Sequence, residues 1–308
     1  MATGSTFFDP NQAPQYGYGK FDDVLTALEF EKMNSSGKIS LKNGQTPKSV
    51  AIIHCVGRNE KGYCSEICCL YSLKFARYLK DKIPGVKISH FYSDLCIPGK
   101  SYQKFYEQTK EKNVDFIRST DVEVSKQGSI SYKTADDSKK NLQVDMVILA
   151  PAIEPTSDAS KLAEITSISQ GDGGFFAEEH EKLSPVSTSA DGVYIVGCAQ
   201  GPKNIPETII QSEAATGKIL SSLIPGRKIE PEVKTSQISE SLCGGCKTCI
   251  SVCPYGAITF DETKKISVVN EMICRGCGSC TAACPSGAAS IKHFTFDQIY
   301  QELKEAVK

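Results

Sequence analysis

Residues 243–254 read CGGCKTCISVCP, and residues 274–285 read CRGCGSCTAACP. Both runs have the spacing C-x2-C-x2-C-x3-C-P, so one pattern accounts for eight cysteines. Glycines between the first cysteines allow a turn tight enough for three thiolates to converge, with backbone N–H groups facing the bound group. The proline after each fourth cysteine fixes φ and removes a donor. The doubled run therefore predicts a metal-binding module in this part of the chain.

This spacing is typical of bacterial-type ferredoxins that hold two [4Fe–4S] clusters, in which the fourth cysteine of each run ligates the other cluster. The predicted ligands of one cluster are Cys243, Cys246, Cys249 and Cys284, and those of the other are Cys274, Cys277, Cys280 and Cys253. Zinc is the alternative. It is disfavoured because zinc sites use pairs of cysteines rather than doubled triplets with a distant fourth ligand.

Composition limits the class of protein. The 308 residues suffice for two or three domains, and the net charge of -1 gives no sign of a nucleic-acid partner. No apolar run approaches the roughly 18 residues of a membrane span, and the start lacks signal-peptide features. We expect a soluble, cytoplasmic protein. Among the 14 cysteines, only Cys96 and Cys198 fall outside two clusters of cysteines, so metal binding explains the cysteine content better than disulfides do.

A second group of cysteines follows the predicted buried strand at 50–53. Cys55, Cys64, Cys68 and Cys69 have the spacing C-x8-C-x3-C-C, and a helix is predicted from about 65 to 80. A dinucleotide-binding domain would place G-x-G-x-x-G in this turn, but the glycines are absent. The thiols can surround a third [4Fe–4S] cluster at the positive end of the helix. A zinc site or buried structural thiols remain as alternatives.

The remaining pattern indicates alternating strands and helices, which is typical of an α/β fold. Predicted helices cover 22–33, 102–112 and 207–223, and predicted strands cover 87–92, 114–117, 144–150 and 192–197, with a hairpin at 121–134. A polar linker is predicted at 225–240, and an amphipathic helix at the end of the chain.

Four stretches together resemble the A subunit of heterodisulfide reductase. They are YGYG at 16–19, GYCSEICCLYSLKFA at 62–76, GKSYQKFY at 99–106 and AQGPKNIPET at 199–208, with the ferredoxin-type runs behind them. The resemblance extends from residue 2 to the end. It implies an α/β chain with partial thioredoxin-reductase-like (Rossmann-like) flavoprotein domains and a C-terminal α+β bacterial-type 2[4Fe–4S] ferredoxin domain.

The resemblance also implies the domain limits and the cofactors. A partial FAD domain would comprise 1–46 and 151–228, an inserted α/β domain 47–150, and the ferredoxin domain with its C-terminal helix 229–308. The cofactors would be three [4Fe–4S] clusters and FAD. The implied FAD-binding residues are Ala2, Thr3, Gly4, Cys198, Ala199, Gln200, Gly201, Lys203, Thr208 and Gln211. Lys203 would stabilise a reduced, anionic flavin; surface exposure of Lys203 and helix capping by Thr208 are the alternatives.

Family members begin with several hundred further residues that contain G-x-G-x-x-G. We therefore expect this chain to be the C-terminal half of a split A subunit, with FAD shared with a partner chain that supplies the N-terminal FAD-binding half. The family implies an oxidoreductase of methanogenesis that is active only with its partners. Flavin-based electron bifurcation would connect a hydrogenase or formate-dehydrogenase-type donor, ferredoxin and a reductase of the disulfide of coenzymes M and B. Further subunits of the B and C types of the reductase are expected, in a dimer of heteromers. A flavin-free cluster relay and a quinone-interacting relative are the alternatives.

Overall fold

The structure is a computed structural model and describes residues 1–223 and 234–307. The predicted domain boundary between residues 228 and 229 lies outside the described residues, and so do residues 225–233 of the predicted linker at 225–240.

The strands, in chain order, are β1 (Thr6–Phe7), β2 (Val24–Thr26), β3 (Ser49–Val56), β4 (Lys87–Tyr92), β5 (Val114–Ser125), β6 (Ser129–Thr134), β7 (Lys139–Gln143), β8 (Met146–Pro151), β9 (Ile153–Glu154), β10 (Ser236–Ile238), β11 (Ile258–Asp261), β12 (Ile266–Val269) and β13 (Ala289–Ile291). The helices are α1 (Ala27–Ser35), α2 (Arg58–Lys61), α3 (Cys68–Lys82), α4 (Tyr102–Lys110), α5 (Ala159–Thr166), α6 (Ile205–Ser222), α7 (Thr248–Ser251), α8 (Ser279–Ala283) and α9 (Phe296–Ala306).

A seven-stranded sheet with the order β2-β8-β3-β4-β5-β6-β7 forms the centre of the larger part of the chain. The pairs from β2 to β5 are parallel, and β5, β6 and β7 continue as an antiparallel meander. Parallel strands covered on both faces are continuously apolar, and residues 50–53 of β3 are at most 1% exposed. The prediction of an α/β fold with a Rossmann-like parallel sheet is confirmed.

Each face of the sheet has its own core. Ile53 packs with Phe8 and Phe91 on one face, while Ile52 packs with Phe30 and Phe75 on the other. The two neighbouring isoleucines of β3 serve opposite faces because side chains alternate along a strand. Burial of each such side chain contributes about 1.5–3 kcal/mol to folding, so both layers hold β3 firmly in the centre of the sheet.

The chain before β3 differs from its prediction. The predicted helix at 22–33 is strand β2 followed by α1, because the apolar Val24 and Leu25 pair with β8 and Thr26 then starts the helix in a capping box with Glu29. Phe30 packs edge-on against Phe75 at 4.9 Å. Strand β2 thus adds to the seven-stranded sheet, and α1 packs on it. The prediction had built this sheet from 47–150 alone and had assigned the segment of β2 and α1 to the partial FAD domain.

The predicted strand at 192–197 does not form a ladder. Only an isolated bridge joins Ser187 to Tyr194 among the described residues. The segment instead runs beside the start of the chain, where the Val196 N–H donates to the carbonyl of Met1 at 3.0 Å. A short 3-10 turn at Gly197–Ala199 follows. Residues 1–4 are therefore tied to the segment that precedes α6.

The ferredoxin-type module is built from two antiparallel strand pairs, β10 with β13 and β11 with β12. Cys249 on α7 and Cys280 on α8 are both buried against Ile258. The predicted final amphipathic helix forms as α9, whose Ile299 and Leu303 are exposed. In the described part of the chain, every helix is too short or too polar to cross a bilayer.

Two glycines with the same φ differ in how closely their neighbours pack, so substitution at each measures the cost of a steric clash. Gly128 and Gly85 both have φ of 76°, but a Cβ on Gly128 would lie 2.1 Å from the Val144 carbonyl oxygen, whereas one on Gly85 meets nothing within 4 Å among the described residues. We expect Gly85→Ala to lower the free energy of unfolding by about 1 kcal/mol and Gly128→Ala by about 3 kcal/mol. Urea unfolding measured anaerobically by circular dichroism checks this, and equal losses would contradict it.

Candidate iron–sulfur and flavin sites

The carboxyl end of β3 carries the first candidate site. A bulge between Ile53 and Val56 breaks the pairing of β3 with β8, and Cys55 within it has a positive φ of 59°. Such bulges re-aim side chains, and a left-handed conformation at a non-glycine residue is retained only where the surroundings enforce it. Cys55 is therefore directed to the end of the strand rather than into the sheet.

The other three cysteines of this group reach the same place from the following loop and helix. Helix α3 begins at Cys68, so Cys68 and Cys69 lie at its positive N-terminal end. Both pack against Ala150 at the end of β8. Glu66 adopts a φ of 57°, and its N–H donates to Cys64 Sγ at 3.3 Å. The structure thus brings all four predicted ligands to one edge of the sheet.

This edge is the topological switch point of the sheet. Strand β3 lies between β8 and β4, and the chain leaves β3 towards β4 but returns later on the other side as β8. Open α/β sheets bind ligands at such a crevice, usually a dinucleotide pyrophosphate at the helix N-terminus. Here cysteine side chains occupy that position, and an anionic group held by thiolates would take the place of a phosphate.

The thiols are poised to bind metal as thiolates. A hydrogen bond with Cys68 lowers the pKa of Cys55 to about 6, and a hydrogen bond with Cys68 likewise lowers the pKa of Cys69 to about 4. The same two bonds, together with burial, raise the pKa of Cys68. One protonated thiol thus bridges two thiolates, which is a negative donor set suited to iron.

One buried donor beside these thiols supports the fit of a cluster. The Tyr71 hydroxyl has no hydrogen-bond partner within residues 1–223 and 234–307, and Tyr71 packs against Cys68 and Cys69. An unsatisfied buried donor is costly, and a cluster sulfur would accept from it. His54 also interacts with this site, because its side chain hydrogen-bonds with Cys69 and lowers the pKa of that thiol.

Among the described residues, no group of three or more ligand-type side chains is arranged to hold a single ion. The assignment of Cys55, Cys64, Cys68 and Cys69 to a cluster remains a prediction.

Cys96, to which the sequence assigned no role, also lies at this site. The loop after β4 brings it beside Cys64 and Cys69, and burial followed by the charges of these thiols raises its pKa to about 11. A backbone hydrogen bond from Cys96 lowers the pKa of Cys69. Cys96 thus covers the site as a neutral thiol. The sequence spacing gives no sign that Cys96 lies near the other four cysteines. Their closeness follows from the position of β4 next to β3 in the sheet.

The second candidate site is in the ferredoxin-type module. One cavity is lined by Cys253 together with Cys274, Cys277 and Cys280, so the distant fourth cysteine meets the triplet of the other run as predicted. In the first run, Cys246 lies close enough to Cys284 for the charge of that thiol to act on the pKa of Cys246. Backbone N–H groups already point at the sulfurs, with Ala257 N donating to Cys253 Sγ at 3.3 Å and N–H groups near Ala289 lowering the pKa of Cys284 to about 7.

The candidate flavin residues gather in the turn before α6 and at its start. Gln211 Oε1 accepts from the Gly197 N–H at 2.8 Å, and its amide donates to Gln200. The Thr208 hydroxyl donates to the Asn204 carbonyl at 2.9 Å. Ala199 is buried. Residues 2–4 follow Met1 at the same turn, as the Val196 hydrogen bond requires. Contact of any of these residues with a flavin remains a prediction.

The four-cysteine site and the ferredoxin-type module each interact with residues near the candidate flavin residues. The pKa of Glu66, next to Cys64, is raised by burial and by Glu207 and lowered by Lys203, so the cysteine loop faces the start of α6. Arg275, between Cys274 and Cys277, pairs with Asp191 at 2.5 Å and donates to the Ser189 carbonyl at 3.1 Å. The cysteine loop is thus near the start of α6, whereas the ferredoxin-type module contacts residues 189–191, which precede the turn of the candidate flavin residues. Sequence spacing contains no signal for either contact.

The comparisons with known proteins agree with this arrangement. Residues 242–288 match the family described as 4Fe-4S dicluster domain, which confirms the ferredoxin-type module. The chain is 39% identical to the second iron-sulfur A subunit of CoB–CoM heterodisulfide reductase from Methanopyrus kandleri, over 100% of this chain and 50% of that protein. It is 37% identical to the A subunit of the H2:CoB-CoM heterodisulfide,ferredoxin reductase from Methanothermobacter thermautotrophicus, over 85% of this chain and 42% of that protein.

The resemblance to the A subunit of heterodisulfide reductase is thus confirmed. The chain spans between 42% and 50% of the length of these two relatives. Among solved structures, an NAD-dependent persulfide reductase from A. fulgidus matches over 77% of this chain and 41% of its own, at 19% identity and a TM-score of 0.41.

Cys68→Ser tests the first site. Three [4Fe–4S] clusters hold about twelve irons per chain, and we expect this variant to retain about eight, because the ferredoxin-type ligands are untouched. Cys198→Ser is the control, since Cys198 is a half-buried thiol outside the group, and it should retain all of its iron. Iron and sulfide analysis after anaerobic purification measures both. Full iron in Cys68→Ser would contradict the assignment.

Proposed function

We propose that this chain is the cluster-bearing part of an electron-transferring oxidoreductase like heterodisulfide reductase. Three [4Fe–4S] clusters would lie around an FAD site that this chain completes together with a partner chain. The complex would exchange electrons between a hydrogenase or formate-dehydrogenase-type donor, ferredoxin and a disulfide of the coenzyme M–coenzyme B type. The identity to proteins named for that reaction supports this substrate class.

The single observation that carries the proposal is the packing of the cysteine loop near the turn before α6. Tyr63 meets Phe175 edge-on at 5.7 Å, and the next residue, Phe176, donates its N–H to the Ala199 carbonyl at 3.1 Å. Glu66 donates its N–H to Cys64 Sγ, and its carboxyl group interacts with the charges of Lys203 and Glu207. A group held by the four cysteines would then lie next to the turn that the family resemblance assigns to FAD. Short separation is what a one-electron path between two redox groups needs.

The ferredoxin-type module continues the path. Arg275 stands in the ligand loop of one predicted cluster and is 22% exposed, with Asp191 and Glu179 both facing its guanidinium. Because the guanidinium faces two separate carboxylates and Asp191 is 85% exposed, the contact fixes orientation more than it adds attraction. The module is thus anchored next to the segment that leads to the flavin-side turn, rather than attached by the linker alone.

A partner is supported by the surface of α6. Ile205, Ile209, Ile219 and Leu220 lie along one stripe at the helical period and are 41–77% exposed. A stripe of this kind on one helix is normally buried against a neighbouring element. We assign the stripe to the proposed partner chain that completes the FAD site.

FAD, when bound, would take up electron pairs and release single electrons to the clusters, which is the chemistry that bifurcation needs. This chain would supply Lys203 as a cation beside the ring. It would also supply Gly197, where φ is 67° and an added Cβ would lie 3.0 Å from the Thr208 side chain, so that glycine lets the turn lie close against α6. The phosphate-binding glycines would come from the partner.

A flavin-free cluster relay is the second candidate. The hydrogen bonds of Thr208 and Gln211 are satisfied within the chain, so neither side chain needs a flavin as its partner. Thr208 in that case only caps the turn. The FAD content of the native complex separates the two candidates.

The chain, tagged and purified anaerobically from its own host, should carry about one FAD per chain together with about twelve irons. Leu220→Glu places a charge in the exposed stripe far from the cysteines, so we expect it to lose the partner and the FAD but keep its iron. Leu183→Glu is the matched control, because Leu183 is 80% exposed outside the stripe. FAD that persists in Leu220→Glu would contradict the partner assignment, and the absence of FAD from the unsubstituted complex would leave only the relay.

Lys203→Met tests the flavin contact. A cation stabilises the reduced, anionic flavin, so its removal should lower the flavin midpoint potential. Lys218→Met, an exposed lysine further along α6, should leave the potential unchanged. Spectroelectrochemical titration of the complex measures both. An unchanged potential in Lys203→Met would place this side chain away from the ring.

A further inference from the structure

The ferredoxin-type module contains an internal repeat with a period of 31 residues, which extends beyond the cysteines. Cys243 corresponds to Cys274, and the same step relates Ser236 in β10 to Ser267 in β12. Each serine is only 2% exposed. A buried hydroxyl at both equivalent positions points to a shared task within the module.

Ser236 lies directly beneath one predicted cluster. Its oxygen is 3.2 Å from Cys280 Sγ, and its backbone N–H donates to Cys274 Sγ at 3.4 Å. Both sulfurs belong to the same triplet. The ligand loop is pressed onto this strand, because a Cβ on Gly276 would lie 2.0 Å from the Lys234 carbonyl oxygen. The serine therefore has little freedom to turn away from the sulfurs.

The direction of this hydrogen bond depends on the protonation of the sulfur. A protonated Cys280 thiol donates to the Ser236 oxygen. A thiolate on iron has no proton to give, so the buried hydroxyl must become the donor if it is to keep this contact. A donor at a cluster sulfur stabilises the more negative, reduced state of the cluster.

Ser267 occupies the equivalent position in the other half of the repeat. A Cβ on Gly245 would lie 2.7 Å from the Lys265 carbonyl oxygen, so this ligand loop is also pressed onto its strand. The Ser267 hydroxyl is buried and has no partner in the part of the chain that the structure describes. A sulfur of the cluster above it would provide the acceptor.

Two other serines near the ligands lie in more solvent-accessible contacts. Ser279 lies 3.5 Å from Cys277, and Ser286 lies 3.6 Å from Cys284, but Cys277 and Ser286 are exposed. Water competes for such contacts, whereas a fully buried donor acts at low dielectric. The two buried serines are thus better placed to affect the clusters.

We propose that Ser236 and Ser267 set the potentials of the two ferredoxin-type clusters, each by donating its hydroxyl to a sulfur of the cluster that it underlies. They act as positioning residues for the reduced state and are not iron ligands. The inference depends on the two-cluster module and is independent of the proposed flavin.

The test compares Ser236→Ala and Ser267→Ala in the full chain by EPR-monitored redox titration, with iron content measured in parallel. We expect each variant to keep its iron and to show a negative shift of one midpoint potential, with a different cluster affected in each. Ser236→Thr keeps the hydroxyl and should restore the original potential. Ser290→Ala is the matched control, because Ser290 is an exposed serine of β13 in the same strand pair as Ser236.

Unchanged potentials in both alanine variants with complete iron would overturn the proposal. So would equal shifts of both clusters in each variant, which would indicate a general change of packing. If Ser236→Ala loses iron, Ser267→Ala decides the question at the other cluster. Loss of iron in both would also overturn the proposal, because the serines would then be structural. None of these outcomes depends on FAD, so failure here leaves the proposed function to its own test.

Discussion

The convergence of thiolates from distant parts of a loop is the constraint on which the rest of this structure depends. Several negative sulfurs can share one place only if the backbone turns sharply and directs its own N–H groups at them. Both candidate sites meet this requirement with left-handed residues, namely Cys55 and Glu66 at the end of β3 and Gly245 and Gly276 in the ferredoxin-type module. The sheet contributes by holding β3 between two cores, so that the bulge at its end is fixed relative to α3.

Electron transfer adds a second requirement, which is that the redox groups be neighbours. The contacts of Glu66 with the start of α6 and of Arg275 with the segment around Asp191 bring both cysteine groups towards the same turn. The apolar stripe on α6 lies beside that turn and is exposed in this chain. The same helix would therefore complete the flavin site on one side and receive the partner on the other, so that assembly and cofactor binding would be coupled.

The cysteine spacing made the ferredoxin-type module predictable, since its ligands lie close together in sequence, and the apolar run of β3 likewise predicted the centre of the sheet. The segment at 22–33 was predicted wrongly as one helix because its first apolar residues fit either period, and only pairing with β8 decides for a strand. Cys96 and Arg275 reach their sites through tertiary contacts, which no local pattern encodes. The equivalence of Ser236 and Ser267 follows from the repeat in the sequence, whereas the burial of both side chains does not.

The location of the iron in the anaerobically prepared complex tests the central claim most directly. Anomalous diffraction at the iron edge gives the position of every cluster without reference to activity. Our account predicts three iron peaks per chain, two within the ferredoxin-type module and one enclosed by Cys55, Cys64, Cys68 and Cys69 at the end of β3. Peaks confined to the ferredoxin-type module, with the four cysteines free of iron, would contradict it.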